Sequence, residues 1–438
     1  MRPKLSWSDL RGARVGLWGL GREGHASLRK LRSMGNEPVL VDDSPPGPDV
    51  LATEGAGLRA LLDCDVVVKS PGISRYRPEV ASLEAAGVPV AGGLGLWIAE
   101  ADRSRVVCVT GTKGKSTTSA VLGHLLTGLG QRCLVGGNIG VVPYDPDVAG
   151  AYDYWVIEVS SYQATDLPYS PPVVAVTSLH PDHLPWHGGV EQYYRDKLSA
   201  CSQPGADLTI ANGDSSLIRS YADLLGPRVE WVCDGPAEWT EPLGLLGAHN
   251  RRNALIARAC LRALGFHPSD DELRAAAGGY PGLPSRLTNI GTVEGVTFVD
   301  DSLSTNVLPT LAALEAFPGR RVALIAGGQD RGIDYSPLAS GIVSRDAPTL
   351  VLTVGDSGRR IREAFESASG HSAAWLSGGS GVLDCPDLGY AVRAGFSWAR
   401  PNGVLLLSPA APSFGQFRDY RDRGDAFARA MGELTSAE

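Results

Sequence analysis

The stretch "VVCVTGTKGKSTTSAVLGHLL", residues 106–126, carries the reading of the fold. A short apolar run enters a turn of Gly, Thr, Lys and Ser, and a helical pattern follows. In that order of elements, backbone N–H groups and a helix N-terminus can cradle phosphate oxygens. The turn comprises Gly111, Thr112, Lys113, Gly114, Lys115, Ser116 and Thr117. Lys115 has the length to reach β- and γ-phosphates, and the Ser116 hydroxyl has the chemistry to ligate magnesium. An ordinary glycine-rich turn is the bland alternative, disfavoured by Gly-Lys-Ser-Thr-Thr between a strand and a helix. One feature departs from the general phosphate loop: the place of its first glycine holds Val109.

Working outward, similar apolar runs recur along most of the chain. "ARVGLWGLG", "EPVLVDD", "CDVVVKSPG", "YWVIEVS", "VVAVTSL", "DLTIANG", "RVALIAGG", "PTLVLTVG" and "NGVLLLSP" each end in a turn and alternate with helical patterns. Such runs suit parallel strands covered on both faces by helices, with ligands where the strands end. The fold class is α/β. A chain of 438 residues is long for one domain. A polar stretch at 99–105 and the Gly/Pro-rich "GGYPGLPSR" at 278–286 mark boundaries, giving expected domains 1–101, 102–281 and 282–438.

Composition narrows the function. Hydrophobic residues make up 43% and charged residues 20%, with a formal net charge of −8 and no long basic run. Nucleic acid and acidic membrane surfaces are therefore poor partners. The seven cysteines are scattered, odd in number and without Cys-x-x-Cys, as expected of free thiols in a reducing compartment. The N-terminus lacks a continuous apolar leader and no run reaches bilayer length, so a soluble cytoplasmic protein is expected.

Further candidates lie at strand ends. Glu158, in "WVIEVSSYQ", closes an apolar run, where a carboxylate needs a partner such as a metal ion or a salt bridge. "HPDHLPWHGG" offers His180, Asp182, His183 and His187, in a spacing that fits no common zinc pattern. Lys197 follows in "YYRDKL" and would ordinarily be a solvated charge. Near the N-terminus, Gly19-x-Gly21-x-x-Gly24 with Asp42 and Asp43 has the spacing of a dinucleotide fingerprint, although the same turn can hold any pyrophosphate. "VDDSLSTN" (299–306), "GGQDRG" (327–332) and "LSPAAPSFGQFRDYRDRG" (407–424) offer hydroxyls and guanidinium groups that suit a small carboxylate-bearing substrate.

In this order the motifs resemble the Mur ligases, ATP-dependent amide-forming enzymes of peptidoglycan synthesis. Thr-Gly-Thr-x-Gly-Lys-Ser/Thr is that family's form of the phosphate loop, which accounts for Val109. "GLG" at 19–21, "SPG" at 70–72, "GNIG" at 137–140, "EVSSYQ" at 158–163, "AHNRRNA" at 248–254 and "GLPSR" at 282–286 resemble its glutamate-adding branch, as do "DDSLSTN" and "SPAAPSFGQF". The resemblance implies a Rossmann-like N-terminal domain for the UDP moiety of UDP-N-acetylmuramoyl-L-alanine. A central P-loop domain would bind ATP, and a Rossmann-like C-terminal domain would bind glutamate. It assigns the phosphates to the 111–117 loop and the rest of the nucleotide to Asn250, Asn253, Arg286 and Asp301. Mg2+ would be held by Ser116, Glu158, His183 and Lys197, the last as a carbamate. Lys115 would act with these last three residues in catalysis. UDP-substrate contacts would come from Gly19, Gly21, Arg22, Asp43, Ser70 and Asn138, and amino-acid contacts from Thr305, Arg331, Ser413 and Tyr420. A monomer is expected.

Three pocket positions depart from the usual D-glutamate-adding pattern: Leu303 and Arg331 stand where lysines are usual, and Tyr420 where a phenylalanine is. Arg and Lys are not equivalent carboxylate partners. With "GGQDRGIDY" and "HPDHLPWHG", these changes point to a variant branch that adds L-glutamate and relies on a separate epimerase. The D-glutamate ligase is the alternative on the same acceptor. A folate-type polyglutamate ligase fits the N-terminal motifs less well. An NAD-dependent oxidoreductase leaves the Lys115 loop unexplained, and a non-catalytic ATP binder leaves Glu158, His183 and Lys197 unexplained.

Overall fold

The computed structural model describes residues 2–148, 150–369 and 379–435. Among the described residues, seventeen strands form three sheets. The first contains β1 (Val15–Trp18), β2 (Val39–Asp42), β3 (Leu51–Ala52), β4 (Val66–Lys69) and β5 (Val90–Gly92), in the order β3-β2-β1-β4-β5. The second contains β6 (Val106–Thr110), β7 (Cys133–Gly137), β8 (Tyr154–Glu158), β9 (Val173–Val176), β10 (Leu208–Asn212) and β11 (Arg228–Val232), in the order β11-β10-β9-β6-β8-β7. Both are parallel throughout.

The third sheet contains β12 (Thr288–Val293), β13 (Val296–Asp300), β14 (Val322–Gly327), β15 (Thr349–Val354), β16 (Gly381–Asp384) and β17 (Val404–Leu407), in the order β12-β13-β17-β14-β15-β16. It is parallel except for the β12–β13 hairpin. Glu294 and Gly295 turn that hairpin with φ of 43° and 79°. A two-residue hairpin loop of this kind favours positive φ at both positions, and glycine supplies one of them without strain.

Six strands inside their sheets, β1, β4, β6, β9, β14 and β17, have every residue buried, as does the short edge strand β5. Covering both faces removes the alternation that a half-exposed strand would show, so the sequence reads as continuous Val/Leu/Ile.

The chain divides into two compact units, Met1–Pro242 with Arg252–Tyr280, and Leu243–Arg251 with Pro281–Glu438. In the first, one apolar cluster runs from Leu17 and Val68 of the first sheet to Cys108, Ile157 and Val176 of the second. These two sheets therefore share a core. In the second unit, Val299, Leu324 and Leu406 face one cluster, while Phe298, Ile325 and Leu405 face another on the opposite side of the sheet. All seven cysteines are free. Among the described residues, no helix is long and apolar enough to cross a membrane.

Candidate functional site

Strand β6 lies inside the second sheet and delivers the 111–117 loop at its carboxyl end. Gly111 and Gly114 have φ of 138° and 87°. A Cβ on Gly111 would sit 2.2 Å from Thr177 Oγ1, and one on Gly114 would sit 2.6 Å from Asn253 Oδ1. Only glycine fits both the backbone and the space. The helix Lys115–Gly128 starts at once. Lys115 Nζ curls back to donate to the carbonyls of Gly111 (2.9 Å) and Thr112 (3.2 Å), which keeps its charge over the loop. The end of β9 braces the turn from below. Thr177 Oγ1 donates to Lys113 O at 2.6 Å, and Lys113 N–H donates to Ser178 Oγ at 2.8 Å. The Thr112 hydroxyl is committed to Tyr193 and the His180 carbonyl, so Thr112 offers a ligand its backbone. Ser116 and Thr117 are buried.

Glu158 ends β8, the neighbour of β6. It is 1% exposed, with one carboxylate oxygen accepting from Ser116 Oγ and the other from Asn138 Nδ2, each at 2.6 Å. Three residues far apart in sequence thus meet at one point. Both hydrogen bonds come from neutral groups, so the buried negative charge suits a cation.

Lys197 is buried, donates to the same Gly111 carbonyl at 3.0 Å and lies 5.0 Å from the Tyr193 ring centroid. Burial, with Lys115 nearby, holds its amine well below the ordinary lysine range. His183 adopts left-handed backbone (φ 52°), stands half exposed, and has its ring 5.1 Å from Tyr162. A bulky residue in that region marks local strain that the surroundings must hold. Burial lowers its imidazole pKa despite neighbouring Asp182. His187 is committed elsewhere: Nδ1 meets Asp196 Oδ2 at 2.6 Å and Nε2 meets Ser161 Oγ at 3.0 Å. Among the described residues, no three His, Cys, Asp or Glu side chains converge as a metal-binding group. A cation at Glu158 would therefore draw as well on hydroxyls such as Ser116 Oγ or on groups that arrive with a ligand.

In the first sheet, Gly21 caps the helix Arg22–Ser33. Ser70 Oγ donates to Gly19 O at 2.5 Å, and a Cβ on Gly24 would lie 2.0 Å from that carbonyl. Gly19 and Gly24 thus serve close packing of turn, helix and strand, whereas a Cβ on Gly21 would meet nothing. Asp42 takes the Leu20 N–H at 2.6 Å, whereas Asp43 is held by Thr53 (2.7 Å) and Arg77 (2.6 Å). Arg22 donates to the carbonyls of Gly137, Asn138 and Gly140, tying this turn to the "GNIG" loop.

Asn253 belongs to the first unit, beside Gly114. Asn250, Arg286, Asp301, Thr305, Arg331, Ser413 and Tyr420 belong to the second. There, loops at the carboxyl ends of β13, β14 and β17 carry most of these residues. Asp301 accepts from Leu287 N–H (3.1 Å) and Ser408 Oγ (2.7 Å), and burial pushes its carboxyl up to about 7. Asn250 donates to Leu246 O at 2.9 Å. Arg331 is exposed, with its guanidinium 5.8 Å from the Phe414 ring centroid and donating to Gln329. Ser413 is buried, and Tyr420 begins the helix Tyr420–Thr435. Thr305 lies half-buried in the loop after β13, and Leu303 donates its N–H to Ser285 O.

Residues 109–230 match the Mur ligase middle domain. The chain is 40% identical to a UDP-N-acetylmuramoyl-L-alanine–L-glutamate ligase of Salinispora tropica, over 97% of this chain and 98% of that one. It is 38% identical to the protein of that name from Xanthomonas euvesicatoria, covering 97% and 96%. The chain belongs to the Mur ligase family. As such it is an ATP-dependent ligase that forms amide bonds. Among solved structures, a UDP-N-acetylmuramate–alanine ligase of Thermotoga maritima shares the fold, with a TM-score of 0.58 at 19% identity over 97% of this chain and 100% of that one. A folylpolyglutamate synthase of Mycobacterium tuberculosis shares it at a TM-score of 0.54 and 14% identity, over 74% and 92%.

Reading motifs along this Mur ligase overlooks residues whose partners are distant in sequence. Ser178 braces the phosphate loop without belonging to it. Arg423 is 2% exposed and binds Ser302 Oγ (3.0 Å), Ser302 O (2.8 Å) and Ala411 O (3.1 Å), pinning the loops after β13 and β17 together. Burial lowers its pKa to about 10. The quoted "RDRG" contained Arg423, but nothing local distinguishes it from exposed Arg421.

Proposed function

We propose that this Mur ligase joins L-glutamate to UDP-N-acetylmuramoyl-L-alanine during peptidoglycan precursor synthesis, with hydrolysis of ATP to ADP and phosphate. The assembly of Ser116, Asn138 and Glu158 beside Lys115 carries the reading, because it puts a buried carboxylate and a lysine head at one phosphate-cradling loop. The names of the relatives at 36–40% identity support the acceptor and the amino acid.

The roles divide among residues 1–101 for the UDP moiety, 102–281 for ATP and 282–438 for glutamate. The acceptor's alanyl carboxylate attacks the γ-phosphorus, ADP leaves, and an acyl phosphate forms. The glutamate amine then attacks the acyl carbon; phosphate departs from the tetrahedral intermediate and the amine's proton is lost. Lys115 and the loop N–H groups offset the negative charge that shifts onto oxygen in both steps. The reaction needs positioning more than covalent help from the protein.

Gly19, Gly21, Arg22, Asp43, Ser70 and Asn138 are assigned to the UDP-linked acceptor. Asn250, Asn253, Arg286 and Asp301 are assigned to the nucleotide with Gly111, Thr112, Lys113, Gly114, Ser116 and Thr117. Thr305, Arg331, Ser413 and Tyr420 are assigned to glutamate. Magnesium fits the buried Glu158 carboxylate and the Ser116 hydroxyl, with His183 and a carbamate on Lys197 as further ligands; bound there it would neutralise phosphate charge. Lys197 suits that modification because burial favours the neutral amine, the form that adds to CO2.

The enzyme would act in the cytoplasm as a monomer, and an L-glutamate product would require a separate epimerase. Phosphate release with ATP, magnesium and UDP-N-acetylmuramoyl-L-alanine, run with each enantiomer of glutamate, tests the proposal. Release with L-glutamate alone is expected. Release with D-glutamate alone reverses the chirality assignment, and silence with both rejects the acceptor.

A further inference from the structure

The turn that follows β4, Ser70-Pro71-Gly72, is flanked by two cations that converge on one carboxylate from the second sheet's side of the same unit. Lys69 Nζ donates to Asp166 Oδ2 at 2.5 Å and to Ile73 O at 3.1 Å. Arg75 Nε donates to Asp166 Oδ1 at 2.8 Å. The side chains of Lys69 and Asp166 are 0% and 3% exposed. Arg75 continues to Glu84 and to the Val90 carbonyl. The strand end, the turn and the start of the next segment thus close into a ring around Asp166.

The surroundings are built to admit that carboxylate. A Cβ on Gly92 would fall 2.8 Å from Asp166 Cβ, and one on Gly95 would fall 2.4 Å from Asp166 O. Arg2 holds the carbonyls on both sides, Thr165 O at 2.8 Å and Leu167 O at 3.3 Å. The outer side of the turn is pinned as well: Trp186 Nε1 donates to Gly72 O at 3.0 Å, and Ser74 Oγ donates to Trp186 O at 2.9 Å. Within the turn, Ser70 Oγ reaches Gly19 O in the glycine fingerprint. Moving Ser70 by an ångström would therefore disturb both motifs of the first sheet.

We propose that Asp166 is a positioning residue for the UDP-linked acceptor, acting through Lys69 and Arg75 to fix the Ser70–Gly72 turn. This rests on the assignment of Ser70 to the acceptor site. A buried ion pair is not in itself a gain in stability, because desolvation offsets the attraction. What it supplies is a single geometry, since a carboxylate shared by two directional donors leaves the turn no second arrangement of equal energy.

The test uses the full-length enzyme with steady-state kinetics for acceptor and ATP separately. Asp166→Asn alone would strand two cations and endanger folding. Lys69→Met with Asp166→Leu instead replaces the fully buried pair by an apolar one and leaves Arg75 its contacts with Glu84 and the Val90 carbonyl, and Arg75→Lys is measured in parallel because it keeps the charge but loses the forked contacts. A rise of at least tenfold in KM for UDP-N-acetylmuramoyl-L-alanine is expected for the double variant and at least threefold for Arg75→Lys, with KM for ATP and kcat within about twofold. If the double variant fails to fold, Arg75→Lys decides alone by the same criterion. Acceptor KM values within twofold of wild type in a folded variant, or a fall in Tm with both KM values unchanged, would overturn the inference. A wild-type enzyme that never turns over this acceptor would instead reject the functional reading, and the inference with it.

Discussion

Asp301→Asn should reverse a pH-dependent weakness of the second unit. Asp301 sits behind β13 with its carboxyl pushed from 3.8 to about 7, burial being the main cause and Asp300 adding to it. Hydrogen bonds from Ser408 and Leu287 oppose that shift without cancelling it. In the unfolded chain the group ionises near 3.8, whereas in the folded chain it keeps its proton until about 7. Between those values the folded state binds more protons, so raising the pH removes stability at about 1.4 kcal/mol per pH unit, and the loss levels off above about 7. The full contribution is present below 3.8 and amounts to about 4 kcal/mol as an upper bound.

Asparagine is neutral at every pH and can reproduce the contacts. Its oxygen would accept from Leu287 N–H, and its amide would donate to Ser408 Oγ, which already lies 3.1 Å from Thr310 Oγ1. The assay is urea unfolding of both proteins without ligands at pH 5, 6, 7 and 8, followed through the transition of the second unit. The variant should gain on wild type by about 2–3 kcal/mol between pH 5 and pH 8. A constant offset across that range would mean Asp301 is already ionised when folded, and would refute the reasoning.

Lys115→Ala should lower ligation by about a thousandfold or more while leaving acceptor binding, measured by calorimetry, within about twofold. Equal loss of both would contradict the separation of the two sites. Glu158→Gln keeps the shape and loses the charge, so half-maximal activity should require at least tenfold more magnesium in a titration of phosphate release; an unchanged requirement would remove Glu158 from the cation site. Lys197→Ala should be nearly inactive and regain activity when formate or acetate is added, because a free carboxylate can stand where the carbamate would. No regain across a millimolar titration would count against the modification.

Much of the fold was legible in the chain because burial on both faces writes a simple code. The apolar runs ending in turns all appear as strands, and the phosphate loop lies where its glycines and lysine require. The missed strands are short, lie at sheet edges or carry mixed residues. β3 has two residues and β11 reads Arg-Val-Glu-Trp-Val, so neither leaves a continuous apolar signature. The β12–β13 hairpin does carry a local signal, "TVEGVT", a glycine turn between β-branched residues.

Within the site, the sequence by itself determined residue types: a phosphate-cradling loop, a carboxylate at a strand end and a set of strand-end hydroxyls. Parallel strands bring their carboxyl ends to one edge, so such residues gather there whatever the chain between them. Only the tertiary structure decided which neutral groups meet Glu158, that His187 is committed to Asp196 and Ser161, and that Asp166 anchors a turn 97 residues away. The reason is that a buried polar group takes the partners that packing leaves within reach. Lys69 and Lys197 look like ordinary lysines in the chain; burial alone sets them apart, directing one to an ion pair and the other to a backbone carbonyl.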